Sequence, residues 1–356
     1  MIFFYLAAYI SCIFFALTES TNNTRGLYTR YLSIFIIFIL LFLSIIIKPI
    51  GLGYDDLNYL SVLEIQNTNA VEKNPFGWER AFMVLIYFSA YFEQYQFYIL
   101  GVTVFFICYF FNTYTFNKLS PIITISILWY LSHLFFYKEL TQYRSAIAYS
   151  IVFFSFYLLF CSKIKSFIIL ILLASLFHYS ALIALIAIIA KKLSINKLMV
   201  ILILSVVISS FGILNTFLIY ISSQILNESA FNAYVLDKLG FASSLGILNP
   251  TTIKYLLFSV FFYITRNKYT DYSTFNFTLS LYILAPIWIL IFNDFGTLAG
   301  RPASIFSIFE GVLLSHFAHN NKNNYIIPNR VIVIILSISL FLINILLVKP
   351  INTVYI

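Results

Sequence analysis

Long apolar runs recur along the whole chain and constrain its fold more than any other feature. A helix that crosses the hydrocarbon core of a membrane needs about 20 apolar residues. With 62% hydrophobic and 10% charged residues among 356, the chain has too much apolar surface for a water-soluble domain. We therefore expect an all-α polytopic membrane protein with about 10 crossing helices. The predicted spans are residues 2–17, 31–47, 97–113, 122–137, 144–160, 198–214, 251–265, 273–292, 303–318 and 331–348.

Two further apolar segments do not fit a simple crossing. Residues 80–92 would form a helix of about 20 Å, well short of the roughly 30 Å core. Residues 166–190 carry His178 in the middle and have lysines on both flanks. We expect both segments to be re-entrant, so that 166–190 consists of two half-helices meeting at His178. If both cross instead, the chain has about 12 transmembrane segments.

The basic residues orient the chain in the membrane. Cytoplasmic loops collect Lys and Arg, so Arg25 and Arg30 place the first loop inside and the N-terminus outside. The loops 48–79 and 215–250 then lie outside. The re-entrant topology and its alternative place almost equal numbers of the 21 basic residues inside, so charge does not choose between them. We expect one integral membrane domain, residues 1–356, whose chemistry faces outward.

Three arginines depart from this charge rule: Arg80, Arg144 and Arg301 each lie at or next to the outer start of an apolar segment. A guanidinium group binds phosphate oxygens with two parallel hydrogen bonds, and helix N-termini add positive potential. We expect the three to converge on one outward-facing site for a lipid pyrophosphate. The alternative is that they reach toward lipid headgroups and anchor helix ends. Polar neighbours provide further candidate residues: Glu79, Gln142, Tyr143 and Asp294.

Three other side chains are candidate general bases. His178 lies within an apolar run, where an ionisable group is costly, and a neutral imidazole can accept a proton from a hydroxyl. The alternative is a buried ring bonded to a backbone carbonyl. Asp55 and Asp56 are adjacent carboxylates in GLGYDDLNY that could act as a base or bind a metal, although the glycines equally favour a tight turn.

The cysteines show neither a disulfide framework nor the spacing of a metal site. We expect packed apolar thiols at all three positions, which are Cys12, Cys108 and Cys161.

Four segments occur in the order GLGYDDLNYL, NPFGWERAF, RSAIAYS and LLASLFHYSALI. In these segments the chain resembles the EpsG/Wzy-like bacterial polysaccharide polymerases, which include the O-antigen polymerases. We accordingly expect a GT-C-like fold. By matching position, the resemblance carries over Arg80, Arg144, His178 and Arg301, with Asp55 or Asp56 as the acidic residue of the first outer motif.

The resemblance also implies an activity. Such an enzyme is a glycosyltransferase that joins oligosaccharide repeat units, carried on undecaprenyl pyrophosphate, into O-antigen or exopolysaccharide. It acts at the periplasmic face of the bacterial inner membrane. It needs no cofactor and no metal, binds no nucleic acid, and is expected to work with membrane lipid and a chain-length regulator protein.

Two other classes of function remain open from the residues alone. A flippase or transporter of a lipid-linked saccharide would need ionisable residues along a path through the bilayer, and the sequence shows no such series. Another membrane glycosyl- or acyltransferase would use basic residues on the cytoplasmic side for acetyl-CoA, or Asp55 and Asp56 with a metal.

Overall fold

All regular elements in the described part of the chain are helical. The computed structural model describes residues 1–19, 24–66, 68, 73–211, 224, 245–269, 271–320 and 328–348, so most of the predicted outer loop 215–250 lies outside the described residues. The helices are α1 (Ile2–Thr18), α2 (Thr24–Ile46), α3 (Asp56–Gln66), α4 (Arg80–Ala90), α5 (Gln96–Leu119), α6 (Ile123–Ser132), α7 (Leu134–Tyr137), α8 (Tyr143–Phe160), α9 (Ile164–Ser175), α10 (Ala187–Lys192), α11 (Ile195–Ser210), α12 (Pro250–Thr265), α13 (Tyr272–Tyr282), α14 (Leu284–Ile291), α15 (Gly296–Ser307), α16 (Phe309–His319) and α17 (Asn329–Ile343).

Several of these helices are long and apolar enough to cross a membrane. In the described residues they are Gly26–Ile46, Glu93–Leu119, Tyr143–Phe160, Tyr272–Ile291 and Asn329–Leu346. Shorter apolar helices occupy other predicted spans. The described part of the chain is thus all-helical, with several helices able to span a membrane as in a multi-pass membrane protein. The total of about 10 crossings and the GT-C-like arrangement stay predictions.

Segment 166–190 is broken where the sequence predicts. Helix α9 ends at Ser175, and the amides of Phe177 and His178 both donate to the carbonyl of Ala174. A 3₁₀ helix, Tyr179–Ile186, then leads into α10. The break at His178 is confirmed, and its re-entrant placement stays a prediction.

The chain forms two compact units. The first contains residues 1–182 and 314–356, and the second contains residues 183–313. In the first unit, α5 packs against α2 and α8, α1 packs against α2 and α6, α9 packs against α8, and α17 returns to α6. In the second unit, α11 and α12 pack against α14, and α10 packs against α13.

Two polar side chains of the first unit, buried Glu19 and half-buried Arg30, cap helices. The carboxylate of Glu19 accepts the amides of Ile123 and Thr124 at 3.2 and 3.1 Å, at the positive end of α6. The guanidinium of Arg30 donates to the carbonyls of Asn117 and Ser120 at the end of α5. Glu19 and Arg30 thus satisfy backbone groups at the ends of α6 and α5, which gives both side chains a structural role.

The sixth helix is interrupted at His133, whose backbone leaves the helical conformation. The carbonyl of Ser132 accepts a hydrogen bond from Asn344 Nδ2 at 2.8 Å, from the segment just after α17. A distant part of the chain therefore satisfies the backbone group that this interruption leaves free.

The cysteines are free, and two of the three are buried as expected, Cys12 and Cys108. Cys161 is exposed, so its prediction as a packed thiol is wrong. It follows the last residue of α8, where the backbone turns out of the helix at Ser162 with a φ of 61°.

Candidate functional site

The first turns of α4 and α8 are joined by an ion pair. Arg144, the second residue of α8, donates from Nη1 to Glu79 Oε2 at 2.9 Å. Glu79 directly precedes α4, and its Oε1 accepts the amide of Tyr179 at 3.3 Å. Its side chain is 6% exposed, whereas that of Arg144 is 26% exposed. Glu79 thus holds the arginine in place, and about a quarter of the arginine side chain stays exposed.

Aromatic rings support the guanidinium of Arg144. Its central carbon lies 5.1 Å from the centre of the Trp78 ring, a distance typical of a cation–π contact. Trp78 is fixed by Asn74, whose side chain bonds both its amide and its carbonyl across a turn at Gly77, where φ is +60°. The buried phenol of Tyr59 also interacts with Arg144, which opposes the rise that burial causes in the pKa of Tyr59.

His178 lies beside this ion pair, because its neighbour Tyr179 donates to Glu79. The imidazole Nδ1 accepts the backbone amide of Ser180 at 3.2 Å and lies 2.7 Å from Ser180 Oγ. Since an amide can only donate, Nδ1 carries the lone pair and the neutral ring has its proton on Nε2. Tyr149 Oη lies 3.2 Å from Ser180 Oγ and extends this network into α8.

Gln142, at the start of α8, belongs to the network around Tyr149. Its Oε1 accepts from Lys138 Nζ at 3.1 Å and from Ser145 Oγ at 3.2 Å. Lys138 Nζ also lies 4.4 Å from the centre of the Tyr149 ring. Gln142 therefore holds Lys138 in place, a lysine that is not among the residues predicted from the sequence.

Asp56 forms a fully buried ion pair with Lys48. Their side chains are 0% and 1% exposed, with Lys48 Nζ 2.8 Å from Asp56 Oδ1. The ammonium also donates to Leu140 O and Tyr143 Oη at 2.7 and 2.9 Å, and Asp56 Oδ2 accepts the amide of Gly53. Burial lowers the pKa of Lys48 and raises that of Asp56, while the pairing opposes both shifts.

These contacts give Asp56 and Tyr143 a structural role. A Cβ at Gly53 would stand 2.4 Å from Leu140 O and 2.7 Å from Asp56 Oδ1, so the turn requires glycine there. With both carboxylate oxygens occupied and no exposed surface, Asp56 cannot reach a substrate in this arrangement. Asp55 and Arg80 differ in this respect, since Asp55 is partly exposed and Arg80 is exposed at the first position of α4.

Arg301 and Asp294 belong to the second unit. The sequence places Arg301 just before a helix, but α15 begins at Gly296, so Arg301 lies inside it and is partly exposed. Pro302 follows and lacks the amide that would bond Leu298 O. That carbonyl accepts Trp288 Nε1 at 2.9 Å instead. Whether the three arginines converge on one site remains a prediction.

Sequence reasoning missed several polar residues that the fold brings into contact with others. Lys48 looked like an ordinary loop lysine, and Ser180 like a neighbour of His178. In the second unit, Glu310 pairs with Lys254 at 2.9 Å and accepts from Tyr282 Oη at 3.2 Å. A carboxylate inside the apolar run 303–318 was the available signal for Glu310. Among the described residues no group of three His, Cys, Asp or Glu side chains is placed to hold a metal.

Comparison with known protein families matches residues 30–355 to the EpsG family. No curated protein and no solved structure matches the chain. The match covers nearly the whole chain and includes these ion pairs and the His178 break, so it confirms the resemblance seen in the sequence. The protein therefore belongs to the EpsG family, a group of polysaccharide-polymerase-like membrane proteins.

Proposed function

We propose that this protein is a glycosyltransferase that polymerises undecaprenyl-pyrophosphate-linked oligosaccharide repeat units at the periplasmic face of the bacterial inner membrane. The observation that carries the proposal is Arg144, held by Glu79 and stacked on Trp78 with a quarter of its side chain exposed. The family supports a polymerase, and the arginine supports a substrate with a phosphate-rich leaving group.

The leaving group sets the chemical demand. When the anomeric carbon is transferred, its bond to the pyrophosphate oxygen breaks and negative charge develops on that oxygen. Fixed cations and helix N-termini stabilise such charge without rearranging. Arg144 lies in the first turn of α8, and exposed Arg80 begins α4, next to Glu79. We assign the pyrophosphate to these two helix starts, with Arg301 as a further predicted ligand.

The acceptor hydroxyl must lose its proton as the new glycosidic bond forms. Ser180 Oγ lies 2.7 Å from His178 Nδ1, the ring nitrogen that carries the lone pair. We propose that the acceptor hydroxyl gives its proton to Ser180 Oγ while the serine proton passes to His178 Nδ1. The acceptor oxygen then bonds the anomeric carbon, and the lipid pyrophosphate departs toward Arg144. In this scheme His178 is the base, Ser180 relays the proton, and Glu79 positions Arg144.

Asp55 is the remaining acidic candidate, because Asp56 is enclosed with Lys48. Its partial exposure in the turn before α3 allows contact with a sugar hydroxyl. We propose a hydrogen-bonding role in acceptor binding for Asp55, and no role in proton transfer.

The test compares Arg144→Lys and Arg144→Ala in a strain that lacks the chromosomal gene. Alanine should abolish polymer and leave single repeat units attached, and lysine should rescue poorly because it cannot bind two phosphate oxygens in one plane. The expected loss for alanine is on the order of 2–4 kcal/mol of transition-state stabilisation. The measurement is polymer length on a gel, with protein level checked in membranes.

Lys163→Ala and Lys191→Ala serve as matched controls and should leave polymer length unchanged. Wild-type polymer from Arg144→Lys would contradict the phosphate assignment. Repeat units that accumulate on the cytoplasmic face, protected from an impermeant reagent, would indicate a flippase instead.

A further inference from the structure

A buried carboxyl group that the proposed mechanism does not use lies in the first unit, between α7 and α8. Glu139 is 3% exposed. Tyr130 in α6 donates its hydroxyl to Glu139 Oε1 at 2.7 Å. Asn112 in α5 donates from Nδ2 to Tyr130 Oη at 3.1 Å. Three side chains from separate elements therefore form one hydrogen-bonded series.

The two ends of this series have oxygens without a partner among the described residues: Glu139 Oε2 and Asn112 Oδ1. Both residues line a cavity of about 20 Å³, together with Tyr130 and Thr113. That volume holds one water molecule. Buried acceptors without donors are costly, so a species that bonds both oxygens is expected there.

Among the described residues, no cation forms an ion pair with Glu139. The titratable groups that interact with it there are phenols and a thiol from α1, α5 and α6, namely Tyr5, Tyr109, Tyr130 and Cys108. Lys138, the preceding residue, directs its Nζ to Gln142 and to the Tyr149 ring. A buried carboxylate without a cation is strongly disfavoured relative to the neutral acid.

Burial raises the pKa of Glu139 to about 8, although the hydrogen bond from Tyr130 and the nearby Asn112 side chain oppose the rise. The neutral acid also balances the hydrogen bonds, because Oε2–H becomes a donor. A water in the cavity can then accept from Oε2–H and donate to Asn112 Oδ1. Asn112 donates to Tyr130, and Tyr130 donates to Glu139 Oε1. The four groups then form a closed cycle of hydrogen bonds in which each group donates to the next.

We propose that this cavity is a proton-binding site, in which Glu139 is a neutral carboxylic acid at neutral pH and one water bridges it to Asn112. The site is separate from the Arg144 cluster and does not depend on the proposed activity. Loss of the proton would leave an unpaired negative charge between α5, α6 and α8.

Infrared difference spectroscopy on the full chain in lipid nanodiscs tests the proposal. Between about pH 6 and about pH 10, wild type should lose a carboxylic-acid C=O band with a midpoint near pH 8. Glu139→Gln should lack the band and remain folded, since glutamine mimics the neutral acid. Tyr130→Phe should move the midpoint to higher pH, because the phenol favours the ionised carboxylate.

Stability gives a second readout. The folded pKa is raised above the unfolded value, so this group stabilises the fold most at low pH, and that contribution declines as pH rises from about 4.5 to about 8. Wild type should show this decline, and Glu139→Gln should lack it.

Two results would overturn the proposal. One is an unchanged band in Glu139→Gln or, if that variant fails to fold, an unchanged midpoint in Tyr130→Phe. The other is a wild-type midpoint that depends on replacing choline chloride by sodium chloride at equal ionic strength, which would show that the cavity binds a metal cation.

Discussion

Two consecutive residues at the start of α8 contact ion pairs of opposite character. Tyr143 accepts a hydrogen bond from Lys48 in the fully enclosed pair with Asp56, whereas Arg144 forms the partly open pair with Glu79. In the enclosed pair the ammonium uses its three donors on three protein oxygens. In the open pair a quarter of the arginine side chain remains available. An ion pair near a proposed binding site can therefore have only a structural role. The exposure of its side chains distinguishes such a pair from one that can contact a ligand.

The two ion pairs should also differ in how much they contribute to the stability of the fold. Removing one partner of a buried pair leaves an unpaired charge in a dry interior and is strongly destabilising, whereas an exposed pair contributes little to stability. The enclosed pair should thus govern folding, and the open pair should govern activity.

The largest effect is expected from Lys48→Met, which leaves the carboxylate of Asp56 without its cation. We expect a loss of about 3–5 kcal/mol in unfolding free energy and little folded protein in the membrane. The double variant Lys48→Met with Asp56→Asn should recover most of that loss, because no buried charge remains. Thermal unfolding in detergent measures both. Equal instability of the single and double variants would show that packing, and not charge, holds the pair.

Ser180→Ala should have the next largest effect, on catalysis alone. Removing the relay hydroxyl is expected to reduce polymerisation about 100-fold, at the lower end for general-base catalysis, because water can replace it in part. Ser180→Thr keeps a hydroxyl and should retain most activity. Initial rates of polymer formation in membrane vesicles provide the measurement, and normal rates in Ser180→Ala would exclude the relay.

Glu79→Gln should have the smallest effect. Glutamine preserves the acceptor for the Tyr179 amide but weakens the hold on Arg144, so we expect about a tenfold slower rate, or about 1.4 kcal/mol. The thermal unfolding midpoint should hardly move, since the pair is partly exposed. A large loss of stability with Glu79→Gln would instead show that this pair has a structural role, like that of Lys48 and Asp56.

The sequence predicted the helices well because a continuous apolar run in a membrane protein indicates a helix. It also singled out Arg144, which breaks the charge rule, and His178, which interrupts an apolar run at the observed break. Both signals are local, so one sequence is enough to detect them.

The sequence did not distinguish Asp55 from Asp56 or reveal the role of Lys48. Those assignments depend on Leu140 and Tyr143, which the fold brings to Lys48 from more than 90 positions along the chain. Glu139 was missed for the same reason, since its hydrogen-bond partner Tyr130 lies on α6 and meets it only through the fold. Partners that meet only through tertiary packing leave no trace in local spacing.

The contact between Asn344 and Ser132 has a consequence for biosynthesis. Synthesis proceeds from the N-terminus, so the interrupted sixth helix is made long before the residue that satisfies its free carbonyl. Until then, that carbonyl must rely on a temporary partner such as water or the insertion machinery. Helix α17 and the segment that follows it therefore complete the packing of the first unit, and truncation after α16 should leave that unit unfinished even though its other helices have been made.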